Sequence, residues 1–553
     1  MIKLKITTAP IVFSLMLIMI LVSAYYSFSI AQTESAPAPA ILPEIIVPES
    51  DESNTLSSLP SVFVRKFTFI GNTVFSAQEL SLLTKPYTNR HITFEELQEL
   101  RRTITRYYID NGYINSGAVI PDQRVENGHI AIKIIEGMVK DITIEGNRYY
   151  RSRYFTDRLF LAALPVVNVN TIQKTLQHLE QDPLIKYIKA ELKPGIMPGE
   201  SILHVNVKEE NPYRIGFEIS NTLSPSVGAL RGALQFAHKN LTENGDAFET
   251  QLGYAEGIND FTIGYMAPLT KRDTSLTLQF NKSDSTIIED IYKDLDIESK
   301  SESYTMTLGS PCMRMTGNEL YLKFITEFRK SETFLLGQPF SFSDGGENGT
   351  TKITVLRFSQ EWINRSHVHV LSIHFTLNWG IDAFGATVND SGVDGKFVSW
   401  RGQVQMIKRL EFFESILSFR ADTQLSEDSL VPLEKYPIGG MNSVRGYRQN
   451  QCVGDNGLIA SLELRIPLFS NNKSRPSLNL VPFCDFGRSW NTAHDTSHTY
   501  PDYIMSVGVG FTWVPVKNIN CQIYTGFPLR DVHTSGSDLQ DKGIHFCIKG
   551  ELL

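Results

Sequence analysis

From about Pro212 to the end of the chain, apolar and polar side chains alternate with a period of two. Leu320, Leu322, Phe324, Thr326 and Phe328 share one face of an extended segment, and Tyr321, Lys323, Ile325, Glu327 and Arg329 share the other. Val398, Trp400, Gly402, Val404 and Met406 stand opposite Ser399, Arg401, Gln403 and Gln405. Val507, Val509, Phe511 and Trp513 stand opposite Ser506, Gly508, Gly510 and Thr512. Neighbouring side chains of a strand point to opposite faces, so the pattern predicts strands with one apolar and one polar side. The apolar faces are too uniform for a sheet open to water. Alternating segments of ~9–11 residues predict an antiparallel transmembrane barrel with lipid outside and a polar lumen. About 340 residues, at ~20 per strand and connection, give about 16 strands over 211–553. Trp379, Trp400 and Trp513 fall near segment ends, where an interfacial girdle would hold them.

The pattern upstream is different. Val62 to Ile70 reads as a strand closed by Gly71-Asn72. Ser76 with Glu79, and Thr93 with Glu96, are capping boxes that open two helices. The second helix aligns Leu97, Leu100, Ile104 and Tyr107 or Tyr108, and Asn111-Gly112 ends it. Strands are expected near Tyr113–Ile120 and His129–Glu136. The order β-α-α-β-β, over 61–138, then repeats over 139–210. Ile142-Thr143-Ile144-Glu145-Gly146-Asn147 echoes the first opening strand, with Gly146 placed 75 residues after Gly71. A helix near Arg151–Leu161, a second starting at Asn170, and strands near Ile185–Leu192 and Ser201–Val207 complete the unit. Such repetition predicts two tandem small α+β domains.

The N-terminus sets the compartment. Lys3 and Lys5 precede an apolar run from Ile11 to Val22, and Ser29-Ile30-Ala31 puts small residues at -3 and -1 before Gln32. This is a secretory signal peptide over 1–31. Residues 32–60, with Pro37, Pro39, Pro43, Pro48 and Pro60, read as a linker. No later run reaches the ~18 apolar residues of a membrane-spanning helix, so any crossing is by strands.

Composition then excludes several functions. The chain has 553 residues and a net charge of -8, from 52 Lys+Arg and 60 Asp+Glu. No basic excess supports nucleic-acid binding. Five cysteines lack zinc-ligand spacing, so neither a metal nor a cofactor is expected. Cys452 and Cys484 have no assignable partner. His367 and His369 lie two residues apart without a third ligand. There is no Gly-x-Ser-x-Gly elbow and no phosphate loop, so the chain does not read as an enzyme.

Three stretches carry a family resemblance. The first runs from Gly228-Ala229-Leu230-Arg231-Gly232 through His238-Lys239-Asn240-Leu241 and Asn244-Gly245-Asp246 to Gly264–Leu269. The second is Tyr436-Pro437-Ile438-Gly439-Gly440-Met441-Asn442-Ser443-Val444-Arg445-Gly446-Tyr447, followed by Gly454-Asp455. The third is Phe483-Cys484-Asp485-Phe486-Gly487, in which alternation puts Asp485 and Gly487 on one face. From about residue 62 onward the chain resembles the haemolysin secretion/activation family. These are the transporters of two-partner secretion, within the superfamily of outer-membrane barrels that carry POTRA domains.

The resemblance implies that both repeats are periplasmic POTRA domains, which take up extended client chain at a sheet edge. It implies that the loop bearing Gly439, Gly440, Val444, Arg445, Gly446 and Tyr447 folds back into the lumen. There Arg445 would pair with Asp485 of the wall motif Phe483, Asp485 and Gly487. The implied protein is a monomeric pore in the outer membrane of a Gram-negative bacterium, surrounded by outer-membrane lipid. It would recognise a large unfolded client of adhesin or cytolysin type in the periplasm, carry it to the surface or medium, and in some members activate it. An insertase of the same superfamily would carry more POTRA repeats, and a passive porin would have no use for them. Two features depart from the family. Residues 32–60 show no amphipathic plug helix. The last strand aligns Ile544, Phe546, Ile548 and Leu552, but the terminal Leu553 is neither aromatic nor in phase.

Overall fold

The computed structural model describes residue 56 and residues 60–315, 317–342, 345–389, 392–469, 477–492, 503–532 and 536–552. The expected signal peptide, and the expected linker apart from Leu56 and Pro60, lie outside the described residues. The chain divides into two compact units, 32–211 and the barrel from 212 onward.

The first unit contains β1 (Ser61–Val64), β2 (Lys66–Ile70), α1 (Ala77–Thr84), β3 (Arg90–Thr93), α2 (Phe94–Asp110), β4 (Gly117–Val119) and β5 (His129–Ile135). There follow β6 (Met138–Glu145), α3 (Ser152–Ala163), α4 (Val169–Leu179), β7 (Ile185–Pro194) and β8 (Glu200–Glu209). Each repeat is a three-stranded sheet, β2-β5-β4 and then β6-β8-β7. In each, the first and last strands are parallel and the middle one joins antiparallel. Two helices cover one face and bury α2 through Leu97, Leu100, Ile104 and Tyr108, and α3 through Phe155 and Leu159.

The local signals act as their chemistry requires. Both capping boxes form: Glu79 accepts from Ser76 N at 2.8 Å, and Glu96 from Thr93 N at 2.9 Å. Three expectations are adjusted. The run Val62–Ile70 is two strands, broken where Arg65 N donates to Gly128 O at 2.7 Å, because β1 turns away to pair with β3. The strand near Tyr113–Ile120 shrinks to three residues. Helix α4 is capped by Asn168, not Asn170: the Asn168 side chain accepts from Asn170 N at 2.9 Å. Leu56 packs into the first core, with Leu56 N donating to Gln123 O at 3.0 Å.

The repeat signature has a physical basis. Gly71 and Gly146 both have positive φ, 88° and 83°. A Cβ there would meet the backbone oxygen of Ile134 at 2.6 Å and that of Val207 inside contact distance. Asn72 donates to Phe75 O at 2.9 Å, and Asn147 to Tyr150 O at 2.7 Å. A carboxylate at or just past the end of the last strand then catches the amides that follow each turn. Glu136 accepts from Thr73 N at 2.8 Å and Val74 N at 2.9 Å, and Glu209 accepts from Arg148 N at 3.0 Å and Tyr149 N at 2.5 Å. Burial alone would raise the Glu136 carboxyl. Hydrogen bonds from the Thr73 hydroxyl, the two amides and Tyr108 outweigh burial and hold it below the ordinary carboxylate range.

The second unit is a closed antiparallel barrel of sixteen strands, from Tyr213–Ser220 to Ile544–Glu551, with a two-residue addition at Gln338–Pro339. The first and last strands close it through five register pairs, Ser220↔Cys547 to Gly216↔Glu551. Turns at one end are short, as between Met315 and Asn318, while segments at the other end are long, as between Ser426 and Asn456. The alternation holds. Phe324, Val398, Val507 and Trp513 are exposed on the outer face. Lys323 faces inward to Glu361 at 3.0 Å, and Arg401 faces inward to Asp422 at 2.8 Å. Polar side chains that pair with one another line the lumen, and apolar ones face outward. Among the described residues no helix is long and apolar enough to cross a membrane.

Candidate functional site: the lumen loop and its clamp

Strands Asn456–Phe469 and Ser477–Trp490 pair with Ser461 opposite Asp485 and Glu463 opposite Phe483. Alternation sends all four side chains inward. The loop between Ser426 and Asn456 meets them. It forms a short hairpin, Tyr436–Ile438 with Cys452–Gly454, and then a tight tip. Gly439 and Gly440 turn the tip with φ of 108° and 96°. Gly439 N donates to Ser443 Oγ at 2.8 Å.

Arg445 is 3% exposed and Asp485 0%. Arg445 Nε donates to Asp485 Oδ2 at 2.8 Å, and Nη2 to Oδ1 at 2.7 Å. Its backbone N–H donates to the same carboxylate at 3.1 Å. Nη1 reaches Glu463 Oε1 at 2.6 Å, and Ser461 Oγ donates to Asp485 at 2.6 Å. The guanidinium lies 3.6 Å from the Phe483 ring centre and 4.8 Å from that of Tyr524. Arg465, 3.6 Å from Glu463, supplies the second positive charge that two carboxylates need. A buried charge is tolerated only when paired and fully hydrogen-bonded, and here it is. The fork geometry also explains arginine, since one ammonium cannot reach both carboxylates in one plane.

The flanking residues fit by close approach. Gly446 has φ of 91°, and a Cβ on it would lie 2.9 Å from the Gly526 backbone. A Cβ on Gly487 would lie 2.7 Å from Val444 Cγ2, so the bare wall at 487 makes room for the tip. Gly446 N donates to His545 Nε2 at 3.0 Å, and the Tyr447 hydroxyl is 2.9 Å from the carbonyl oxygens of Met505 and Arg530. Arg448 holds Asp541 with a two-pronged contact and reaches Glu289 at 2.8 Å. The structure therefore brings together Val444, Arg445, Gly446 and Tyr447 with Phe483, Asp485 and Gly487, while Gly439 and Gly440 shape the turn. Ser461, Glu463, Tyr524, Gly526 and His545 escape the sequence reading. For Ser461 and Glu463 a signal existed: in Ser461-Leu462-Glu463-Leu464-Arg465 every polar residue shares the inward face.

Other candidates are placed plainly. Asn240 accepts from Gly245 N at 2.8 Å, and Asp246 accepts from Thr242 N and Tyr265 Oη at 2.8 Å each, so that motif builds a turn. His367 and His369 sit at an exposed turn, where the His369 ring contacts Ser366 and Asn364, both at 2.9 Å. No metal-ligating cluster occurs among the described residues. All five cysteines are unpaired, with Cys452 buried in the lumen loop and Cys484 on the outer face.

A sixteen-stranded barrel with a lumen-filling loop, preceded by small α+β repeats, defines an outer-membrane barrel of the POTRA-bearing class. Residues 199–513 match the haemolysin secretion/activation proteins ShlB/FhaC/HecB, and residues 62–137 match the ShlB-type POTRA domain. The chain belongs to this haemolysin secretion/activation family, outer-membrane transporters that move a partner protein. Among relatives, it is 22% identical to the outer membrane transporter CdiB of Dickeya dadantii over 85% of this chain and 83% of that one. It is 20% identical to the heme/hemopexin transporter protein HuxB of Haemophilus influenzae, over 82% and 80%. Among solved structures, CdiB from Escherichia coli superposes with a TM-score of 0.67 at 20% identity, covering 92% of this chain and 93% of that one. That likeness is one of fold.

Proposed function

We infer that this transporter takes up an unfolded secreted protein in the periplasm and threads it through the lumen once the Arg445 tip has left its seat. The observation that carries the reading is the clamp: one buried guanidinium joins the loop backbone and both inward carboxylates at the tip. With the tip seated the lumen is occupied; unseated, it opens an aqueous path. The polar partners left behind then bond to water, so the exchange costs little on balance. The client is a large adhesin or cytolysin, and client folding outside supplies the drive, since the outer membrane offers no ATP. The barrel works as a monomer within outer-membrane lipid, and its work is transport rather than catalysis.

The edge strands favour one place for client capture. Augmentation needs a long unpaired edge. Among the described residues β7 of the second repeat offers a ten-residue edge paired on one side with β8, against eight for β6, five for β2 and three for β4. Lys189, Glu191 and Lys193 on β7 are exposed. Photo-reactive side chains at these positions are expected to cross-link a stalled client, and the same probe at Val119 of β4 is not. Equal cross-linking at both would remove the β7 assignment. The transport reading itself is tested by co-expression with a candidate large secreted protein. Partner in the medium only when this chain is present supports it. A periplasmic partner together with loss of other barrels would indicate an insertase.

A further inference from the structure

The loop that carries Arg445 is attached to the wall a second time, near its other end. Arg357 holds both oxygens of Glu434, Nη2 to Oε1 at 2.7 Å and Nη1 to Oε2 at 3.0 Å. Arg329 adds a contact to Glu434 Oε1 at 3.1 Å and one to Leu433 O at 2.7 Å. Glu327 balances the two guanidiniums, 2.7 Å from Arg357. The polarity is the reverse of the tip. There a loop arginine enters wall carboxylates; here a loop glutamate enters wall guanidiniums. The wall is also different. Arg329 and Arg357 lie on Asn318–Leu335 and Thr350–Arg365, and three strands separate the latter from Asn456–Phe469 in the ring. The loop is thus a strut with one foot on each of two wall sectors.

The two feet are made of different material. At the root, Leu430 and Val431 pack directly on the wall residues Ile353, Val355 and Phe397, and all five are almost fully buried. Asp455, 1% exposed, closes the base of the loop, accepting from Leu430 N and Thr492 N at 3.0 Å each. At the tip, most of the apolar cluster around Val444 is the loop's own: Tyr436, Ile438, Tyr447 and Cys452, with only Ile459 and Ile504 from the wall. Withdrawing the tip exchanges polar wall contacts for water and carries the cluster along. Withdrawing the root would expose apolar wall and loop together, a cost with no return.

We propose that Glu434, held by Arg357 and Arg329, is the fixed hinge of the lumen loop, and that transport frees the Arg445 tip while the root stays clamped. This rests on the gating reading above and assigns Glu434, Arg357 and Arg329 as positioning residues for it. The loop then swings and returns without leaving the lumen mouth.

Two disulfide pairs in the full chain separate hinge from tip, with the five native cysteines replaced by serine. Val444→Cys with Gly487→Cys locks the tip, since a Cβ at 487 falls on Val444. Val431→Cys with Val355→Cys locks the root, since these two side chains pack in one buried cluster. Each variant is its own control when reduced. The oxidised tip lock is expected to stop secretion and the oxidised root lock to leave it at the reduced level. A root lock that stops secretion only when oxidised overturns the hinge and leaves the gating reading standing. A tip lock that secretes normally overturns both. If the root pair fails even when reduced, Glu434→Gln decides. It is expected to raise ion conductance through the inserted barrel and to cut secretion, and unchanged conductance overturns the hinge.

Discussion

The two repeats and the lumen loop solve the same problem, seating a turn against a sheet, by opposite means. In the repeats, Glu136 and Glu209 catch backbone amides beside a glycine whose Cβ would strike the sheet. Each device is a copy of the other, closed within one small domain. In the barrel, Arg445 collects partners from strands far apart in the chain, Ser461, Glu463, Asp485 and Tyr524. Around it stand groups that water can replace. On the reading proposed above, the repeats stay as they are and the tip leaves its seat. Mobility belongs where contacts are long-range, polar and reversible.

The largest break in this contrast should come from Arg445→Ala. It leaves Asp485 and Glu463 buried with only Arg465 to offset them, and losing one partner of such a network costs about 3–5 kcal/mol. The seated population should fall at least about tenfold, since ~1.4 kcal/mol already changes an equilibrium by that factor, and secretion should fall with it because the tip must return to its seat between clients. Secretion in the medium and heat-modifiable mobility of the inserted barrel report the two effects separately. Arg445→Lys should fall between, because lysine keeps the charge without the fork. Normal secretion by Arg445→Ala would remove the tip from the mechanism.

Gly446→Ala should act in the same direction with less force. Its positive φ costs an L-residue about 1–2 kcal/mol, and the added methyl presses on Gly526. Secretion should drop severalfold with all charges in place, and wider pore conductance should accompany the drop.

Gly146→Ala carries a similar backbone cost in the other region, and there the outcome should differ. The second repeat should loosen by about 1–3 kcal/mol, seen as faster amide exchange in β6 and β8, while barrel conductance stays unchanged. A conductance change would mean that the turn of the second repeat and the pore are coupled.

How much of this was legible in the sequence follows the same division. Alternation gave the strands and their facing, because a period of two survives whatever the neighbours are, and chain length gave their number of about sixteen. Capping boxes and the Gly-Asn echo gave the repeats, because their partners lie within a few residues or one domain. The break at Arg65 was missed because β1 answers to β3, a pairing that no local pattern records. At the tip, Arg445 and Asp485 were readable only through family motifs. Glu434 and Arg357 belong to no such motif, and nothing in one sequence says that residues 77 apart meet across a lumen. His545 looks like any strand residue until Gly446 is seen to donate to it.

The smallest expected effect tests whether the repeats' turn device is electrostatic at all. Glu136 accepts four hydrogen bonds, and these hold its carboxyl below the ordinary range despite partial burial. A carboxyl lowered in the folded state stabilises above its unfolded value, near 4.3, and that contribution disappears as pH falls through the lowered folded value. Protection of the Thr73 and Val74 amides, relative to their intrinsic exchange rates, should therefore be high at neutral pH and fall as pH drops through the lowered folded value. Glu136→Gln keeps the shape and one acceptor oxygen but loses the charge. It should weaken the turn by about 1 kcal/mol at neutral pH and flatten its acid dependence. The same substitution at Glu209 should act on the amides of Arg148, Tyr149 and Tyr150. If Glu136→Gln exchanges like the parent across the range, the turn is held by its glycine and asparagine, and the two regions differ in the reach of their contacts but not in the use of charge.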